Sequence, residues 1–181
     1  MAELRIVLLS GPFKVGKSTL TAALSEAFGF RKISSSDYLR TLVPGLDAMD
    51  PAQSRLRLQE KGDQLDAETD YRWVVDPVAA TAIAQAPQIT GWLIDAVRKR
   101  RQVDHFRDHF GNAVEHVHLI APESTLLVRS GLTQEAYETA IAHPNEVSSR
   151  ALGEIADRVF DTTTQTPQQI ASHISSKERA P

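Results

Sequence analysis

Short apolar runs alternate along the chain with longer stretches whose apolar residues have helical spacing. The runs are bounded by polar residues or glycines, which is typical of buried β-strands. They predict five strands, at residues 4–10, 31–34, 91–95, 114–120 and 156–160. Leu20 and Leu24 share one helix face after the first run, as Val103, Phe106 and Phe110 do after the third. Strands that alternate with helices predict a mostly parallel sheet covered by helices on both faces.

The stretch between the second and third predicted strands contains no convincing strand of its own. Apolar residues at helical spacing within residues 50–86 instead indicate two or three helices. No repeat or linker interrupts the chain before its polar end. We expect a single domain over residues 1–174, a helical insertion at about 34–88, a short lid at about 129–146 and a flexible tail at 175–181.

Composition narrows the class of partner. The chain has 181 residues, a formal net charge of −3 and a pI near 6.1, so it lacks the basic surplus typical of nucleic-acid binding. It contains no cysteine, which excludes disulfides and thiolate metal sites. The first apolar run is too short for a membrane span or a signal-peptide core. We expect a cytoplasmic protein without nucleic-acid or membrane partners, and the oligomeric state stays open.

The residues after the first predicted strand carry the clearest chemical signal. Residues 11–19 fit the phosphate-loop pattern G-x-x-x-x-G-K-[ST], with a strand before and an amphipathic helix after. Gly11 and Gly16 let the backbone turn so that successive N–H groups form a nest for an anion. The helix that follows directs the positive end of its dipole at the same phosphates. We expect Lys17 to bridge the β- and γ-phosphates and the Ser18 hydroxyl to bind Mg²⁺.

Lys14 and Thr19 complete the predicted nucleotide-binding loop. For Lys14, an ordinary solvated lysine is the alternative interpretation. A chance glycine-rich turn is the alternative for the whole motif, and the flanking strand and helix argue against it. ATP and Mg²⁺ are therefore the expected cofactors.

The second predicted strand ends in serines that lead to Asp37 and Arg40. Helix capping alone would account for the serines and the aspartate. The segment also resembles the acceptor-binding element of adenylate-kinase-type nucleoside monophosphate kinases, a Ser-Thr-Gly-Asp stretch followed one turn later by Leu-Arg. The resemblance implies that Ser35 contacts the acceptor nucleotide and that Arg40 clamps its phosphate, a bidentate task suited to guanidinium. Ser35 and Ser36 stand where that family has threonine and glycine.

The third predicted strand ends in Asp95 and leads into four basic residues at 98–101. A carboxylate there can hold a metal-bound water beside the phosphate loop, because ligands lie beyond the carboxyl ends of parallel strands. The pattern Ile-Asp-x-Val-Arg-x-x-x-Gln resembles the equivalent element of the monophosphate kinases. The resemblance implies that Arg98, or alternatively Lys99, binds the acceptor phosphate and that Gln102 reads the acceptor base. A solvated basic surface is the other interpretation.

Two further segments extend the resemblance. Arg55 and Gln59 lie in a stretch similar to the Arg-Leu-x-x-Gln-x-x-Gly element of phage-type deoxynucleoside monophosphate kinases, which implies an acceptor-pocket role; the polar face of an amphipathic helix is an equal alternative. Arg129 corresponds to a lid-base arginine that stabilises the transferred phosphate. Residues 131–146 contain no arginine, which departs from the family, and Arg150 from the next helix is a candidate replacement.

The histidines give weaker signals. His105 and His109 have a spacing that could hold a transition metal on one helix face, but no further ligand cluster stands nearby and a surface position is favoured. His116 and His118 alternate with apolar residues on a strand, which predicts that they face solvent.

Together these features predict a three-layer α/β P-loop fold, and the resemblance implies a parallel five-stranded sheet of order 2-3-1-4-5. The expected activity is ATP-dependent phosphoryl transfer to a small-molecule nucleotide, a nucleoside or deoxynucleoside monophosphate. One alternative is a kinase of another small metabolite, for which Asp37 or Asp95 would accept the proton of an alcohol. The other is a nucleotide-binding regulatory or accessory ATPase.

Overall fold

The computed structural model describes residues 3–176, apart from the side chains of residues 52 and 55. Five parallel strands form one sheet: β1 (Arg5–Ser10), β2 (Arg31–Ile33), β3 (Gly91–Asp95), β4 (Val114–Ile120) and β5 (Arg158–Asp161). Their order is β2-β3-β1-β4-β5, as expected. β3 and β4 have the predicted bounds, β1 and β2 differ from the prediction by one residue at one end, and β5 begins two residues later and ends one residue later than predicted.

Nine α-helices lie within the described residues. They are α1 (Lys17–Phe28), α2 (Ser35–Leu42), α3 (Pro51–Thr69), α4 (Thr81–Gln85), α5 (Arg100–Phe110), α6 (Glu123–Ser130), α7 (Gln134–Ile141), α8 (Pro144–Ala151) and α9 (Pro167–Ser175). A π-helical turn, Val75–Ala80, runs directly into α4. No described helix is long and apolar enough to cross a membrane.

Two expectations about secondary structure, for residues 134–141 and for the tail, differ from the structure or lie partly outside the described residues. Residues 134–141, expected to be part of a polar connecting stretch, form α7. Thr133 caps this helix by accepting from Ala136 N, and the helix buries the side chain of its own Tyr137. Of the expected tail, Ser175 ends α9, and residues 177–181 lie outside the described residues.

The core has two halves, one on each face of the sheet. Successive residues of β1 are fully buried, because Ile6 packs on the side of Trp92 and Phe106 while Val7 packs on the side of Leu24. A central parallel strand covered on both faces is expected to be continuously apolar. Burial of each such side chain contributes about 1.5–3 kcal/mol. The apolar content of β1 thus anchors it in the middle of the sheet.

This anchoring positions the loop that follows β1. β3 and β4 flank β1, and Leu9 pairs with Asp95 while Ser10 pairs with His118. The carboxyl ends of the three central strands therefore lie side by side. In an open parallel sheet, this edge is where ligands bind.

Candidate active site

The loop after β1 has the backbone of an anion-binding nest. Gly11 and Gly16 have φ values of 135° and 108°, and Lys14 also has positive φ, at 64°. A Cβ on Gly11 would lie 2.5 Å from the carbonyl oxygen of Leu119, so β4 leaves room for glycine only. Gly16 precedes the first turn of α1 and provides no side-chain cap. The first N–H groups of α1 are thus available to an anionic ligand.

Lys17 is the first residue of α1, and its side chain folds back onto this loop. Its ammonium donates hydrogen bonds to the carbonyl oxygens of Gly11 (2.7 Å) and Pro12 (2.8 Å). Burial lowers the pKa of Lys17 to about 8, although the nearby carboxylates of Glu146 and Asp95 partly oppose the shift. A partly buried cation whose charge is incompletely balanced favours an anionic ligand. The loop therefore fits the phosphates of a nucleotide.

Arg129 and the loop after β5 form the wall of a cleft beside the nest. The cleft has a volume of about 310 Å³ and is lined by Thr19, Leu119 and Ile170 among others. The guanidinium of Arg129 donates to Thr162 Oγ1 (2.8 Å) and Thr162 O (3.1 Å), and it lies 3.4 Å from Val15 O. This places Arg129 on the wall of the cleft. The mixed apolar and polar lining suits a planar base.

Lys14, also at the rim of this cleft, is exposed. Its ammonium lies 5.4 Å from the ring centre of Phe13. Both features agree with the interpretation of Lys14 as a solvated lysine.

Asp95 lies at the carboxyl end of β3 as the spacing predicted. Its Oδ2 accepts from Thr21 Oγ1 and forms an ion pair with Lys32 Nζ, both at 3.3 Å, and its side chain is 9% exposed. Ser18, in the first turn of α1, is exposed. Sequence reasoning missed Thr21 and Lys32. Thr21 had a signal, because it follows Lys17 by four residues on the same helix face.

The basic run after β3 divides into residues with different neighbours. Arg98 is exposed and lies close enough to Lys17 to lower its pKa. Lys99 donates to Ser148 Oγ (3.2 Å), whereas Arg101 pairs with Asp70 on the other side of α5. Three of the four basic residues are exposed, and Lys99 is partly buried.

Gln102 is buried at the start of α5. Its Oε1 accepts from the backbone N–H of Arg98 (2.9 Å) and of Lys99 (3.2 Å). This bond orients the turn that carries Arg98. Recognition of a base by Gln102 would fall to its Nε2, because Oε1 is already engaged.

The predicted acceptor residues lie on α2 and α3. Ser34 caps α2 by accepting from Asp37 N (3.3 Å), so the capping interpretation of the serine run holds. Ser35 is the first residue of α2, and Arg40 is exposed near its end. Gln59, on α3, contacts His143 (3.2 Å between Nε2 atoms).

Arg55 also belongs to α3, but its side chain lies outside the described residues. Tyr38 of α2 stacks on Trp73 with the ring centres 5.9 Å apart, and Trp73 Nε1 donates to Asp66 Oδ1 (2.7 Å). Burial raises the pKa of Asp66.

Helix α8 closes over the phosphate loop, a feature that sequence reasoning largely missed. Ser149 Oγ donates to Gly11 O (3.1 Å), and Glu146 Oε1 accepts from Phe13 N (2.7 Å). Arg150 binds Glu146 (3.0 Å) and Glu123 (2.8 Å). These carboxylates raise the pKa of Arg150, so it remains a cation. The four-residue spacing of Glu146 and Arg150 was the only signal for this arrangement.

The prediction that His116 and His118 face solvent is wrong. They are 0% and 3% exposed, and both bind the buried hydroxyl of Ser10, through His116 Nε2 (2.7 Å) and His118 Nδ1 (2.8 Å). Alternation indicates a solvent face only when a sheet has one, and helices and turns cover β4 on both sides. Burial lowers the pKa of each ring to about 4, and Lys17 adds to this effect at His118.

The expected surface position is wrong for His105, which is buried, whereas His109 is exposed, and the two rings have separate partners. His105 Nε2 bonds to Asp70 O (2.7 Å), and His109 Nδ1 lies 3.3 Å from Asp76. Among the described residues, no group of three or more His, Asp or Glu side chains has an arrangement that could hold a metal by itself.

A larger hollow, of about 420 Å³, lies at the opposite edge of the sheet. Arg5 lines it, but its guanidinium is bound to the carbonyl oxygens of Ile174 and Ser175 at the end of α9. The smaller cleft beside Lys17 has the functional groups, so we place the candidate site there.

Comparison with known proteins places these features in context. No protein-family profile matches the chain. A cytidylate kinase from Natronomonas pharaonis is 28% identical over 88 residues, and one from Haloquadratum walsbyi is 31% identical over 90 residues. Each match covers 49% of this chain and 45% of the relative. The chain thus spans less than half the length of these curated relatives.

Solved structures match over nearly the whole chain. A sugar kinase from Janibacter sp. HTCC2649 has a TM-score of 0.54 at 18% identity, covering 94% of this chain and 92% of that structure. A gluconokinase from Sinorhizobium meliloti has a TM-score of 0.54 at 21% identity, with coverages of 93% and 87%. A dephospho-CoA kinase from Campylobacter jejuni has a TM-score of 0.53 at 12% identity, with coverages of 93% and 94%. The partial matches to the cytidylate kinases support the resemblance to nucleoside monophosphate kinases, and the solved structures show that the chain has the P-loop kinase fold.

Proposed function

We propose that the chain is an ATP-dependent kinase that transfers the terminal phosphoryl group to a nucleoside or deoxynucleoside monophosphate. Lys17 carries the proposal: it is a partly buried cation with a pKa lowered to about 8, at the start of the helix that follows a glycine-bounded loop. Asp95 and Arg98 lie close enough to change the pKa of Lys17: Asp95 raises it and Arg98 lowers it. Convergence of a cation, a carboxylate and a second cation at one phosphate nest suits phosphoryl transfer.

On the donor side, the loop N–H groups and Lys17 would hold the phosphates, and Gly11, Gly16 and Thr19 shape the nest and the adjoining cleft. Mg²⁺ fits the donor set, because the Ser18 hydroxyl is exposed at the loop and the Asp95 carboxylate, ion-paired with Lys32, ends the strand next to β1. When bound, Mg²⁺ neutralises phosphate charge. Ser18 would bind it directly and Asp95 through water.

On the acceptor side, Arg98 and Arg40 would clamp the acceptor phosphate, with Ser35 beside them. An acceptor phosphate is already a nucleophile, so the reaction needs no general base and depends on positioning and charge neutralisation. Gln59 and the free Nε2 of Gln102 are candidates for the nucleoside, together with Arg55.

Two further arginines would supply charge near the transferred group. Arg129 is hydrogen-bonded to Thr162 on the wall of the cleft beside the nest, and its contact with Val15 O keeps it beside the phosphate loop. Arg150 approaches the loop from α8 and lies close enough to Lys17 to lower its pKa. Together they would compensate for a lid segment, residues 131–146, that contains no arginine.

The second candidate is a kinase that phosphorylates a hydroxyl group of a small metabolite. It is favoured by the nearly buried carboxylate of Asp95, which could accept the proton of an alcohol. The sugar kinase and gluconokinase among the fold relatives show that this fold also occurs in such enzymes.

A transfer assay with Mg·ATP separates the candidates. The acceptor panel contains all ribo- and deoxynucleoside monophosphates, sugars and hydroxy acids, and ADP formation is measured. We expect turnover with one or more monophosphates, and loss of several kcal/mol of transition-state stabilisation in Lys17→Ala. Lys61→Ala, which removes a lysine of α3 that donates to Gln64, is the matched control and should behave like the parent.

Turnover only with hydroxylated metabolites would replace the proposal by the second candidate. ATP binding without turnover on any acceptor would instead indicate a nucleotide-binding accessory protein.

A further inference from the structure

Helix α8 places an internal anion in the phosphate loop. Glu146 Oε1 accepts the backbone N–H of Phe13 at 2.7 Å, within the turn between Gly11 and Gly16. Its carboxylate raises the pKa of Lys17 more than any other group, including Asp95. Glu146 therefore acts on two groups that we assign to the donor phosphates. It accepts the backbone N–H of Phe13, and its charge raises the pKa of Lys17.

Neighbouring side chains hold Glu146 in this position. The same oxygen accepts from Arg150 Nε (3.0 Å), and Arg150 is fixed from its other end by Glu123 at 2.8 and 3.1 Å. Ser149, one residue before Arg150, holds α8 on the loop through Gly11 O. The side chain of Glu146 is only 14% exposed. These contacts fix the carboxylate of Glu146 next to the nest.

A triphosphate entering the nest would meet this carboxylate. Both are anions, so they repel each other at short range in a partly buried site, where charge interactions are stronger than in water. The Phe13 N–H cannot donate fully to both, and the charge of Lys17 attracts both. The nucleotide therefore has to displace Glu146 or bind against its field.

The same helix also contacts the acceptor side. Ser148 accepts from Lys99 Nζ (3.2 Å), and His143, just before α8, contacts Gln59 (3.2 Å). Displacement of Glu146 would thus act on a helix that contacts both halves of the site.

We propose that Glu146 is an internal competitor for the donor phosphates, occupying the phosphate loop until a triphosphate displaces it. This inference rests on the proposed nucleotide-binding function of the loop. Glu146 then sets the affinity of the loop for polyphosphate, and its carboxylate helps to hold helix α8 against the loop.

The test is isothermal titration of Mg·ATP, tripolyphosphate and adenosine into the parent and Glu146→Gln. The amide can still accept from Phe13 N, so the variant removes the charge and keeps the shape. Replacing a charge-assisted competitor by a neutral one should tighten binding of ATP and tripolyphosphate about tenfold. Adenosine affinity should not change. Glu135→Gln, an exposed glutamate of α7, is the matched control and should match the parent.

Unchanged or weaker binding of both polyphosphates by Glu146→Gln would overturn the inference, as would an equal gain for adenosine, which would indicate a general opening of the cleft. If Glu146→Gln does not fold, Glu146→Asp retains the charge but withdraws it by one methylene, and it should tighten polyphosphate binding by a smaller factor. Failure of this inference alone leaves a parent that binds ATP and a Lys17→Ala variant that does not. A parent that binds neither ATP nor tripolyphosphate would overturn the proposed function as well.

Discussion

The buried Ser10–His116–His118 cluster makes stability depend on pH in a defined window. The Ser10 hydroxyl has one proton, so it donates to one ring and accepts from the other, and neutral rings satisfy this arrangement. Lys17 faces His118, while Arg107 and Asp157 face His116. The two cations oppose protonation, and Asp157 favours it. Acidification therefore forces charge into a site that disfavours it overall.

The sign and size follow from the pKa values. Both rings have a pKa lowered from 6.5 to about 4, so between these values the unfolded chain binds protons that the folded chain does not. Stability is fully present above pH 6.5 and is lost as the pH falls toward 4. At pH 5, which is about 1.5 units below 6.5, the loss is about 2 kcal/mol for each ring at ~1.4 kcal/mol per unit.

The assay is urea unfolding at pH 7.5 and pH 5.0, with the free energy of unfolding compared between the parent and the double variant His116→Gln/His118→Asn. These amides place a nitrogen or oxygen near the positions of Nε2 and Nδ1 but do not titrate. The parent should lose about 4 kcal/mol on acidification if the rings act independently. The double variant should lose less than half as much.

The acidic groups Glu123, Asp70 and Asp161 have lowered pKa values and are present in both proteins, so their contribution cancels in the comparison. An equal loss in both proteins would refute the reasoning, because the histidines would then not be the source. A parent of constant stability between the two pH values would refute it equally.

Two predictions concern the reaction. Arg40→Ala and Arg98→Ala should each raise the acceptor KM or lower kcat about tenfold or more, the effect of losing a charge-assisted contact of about 1.5–3 kcal/mol, while ATP affinity measured alone stays unchanged; equal damage to ATP binding would place these arginines on the donor side. Asp95→Asn should weaken the Mg²⁺ dependence and be partly rescued by raised Mg²⁺, whereas a Mg²⁺-insensitive defect that removes the acidic limb of the pH–rate profile would favour the alcohol kinase.

The sequence by itself determined the elements whose signals are local. β1 is a continuous apolar run because it is buried on both faces, and the glycines and Lys17 after it must follow each other closely to build the nest. The ends of β3 and β4 were equally readable, since apolar runs stop where polar residues begin. Asp95 followed from the same reasoning, because parallel strands bring their carboxyl ends to one edge.

Only the tertiary structure decided which distant side chains surround that nest. Glu146 and Ser149 reach the phosphate loop across more than 130 residues, and Lys32 reaches Asp95 from a neighbouring strand. His118 looked solvent-facing in the sequence because alternation reports the pattern of one strand and not what covers it. Periodicity is a property of a single element, whereas partners, burial and charge balance arise from packing between elements, and this is why the nest was predictable and its closure by α8 was not.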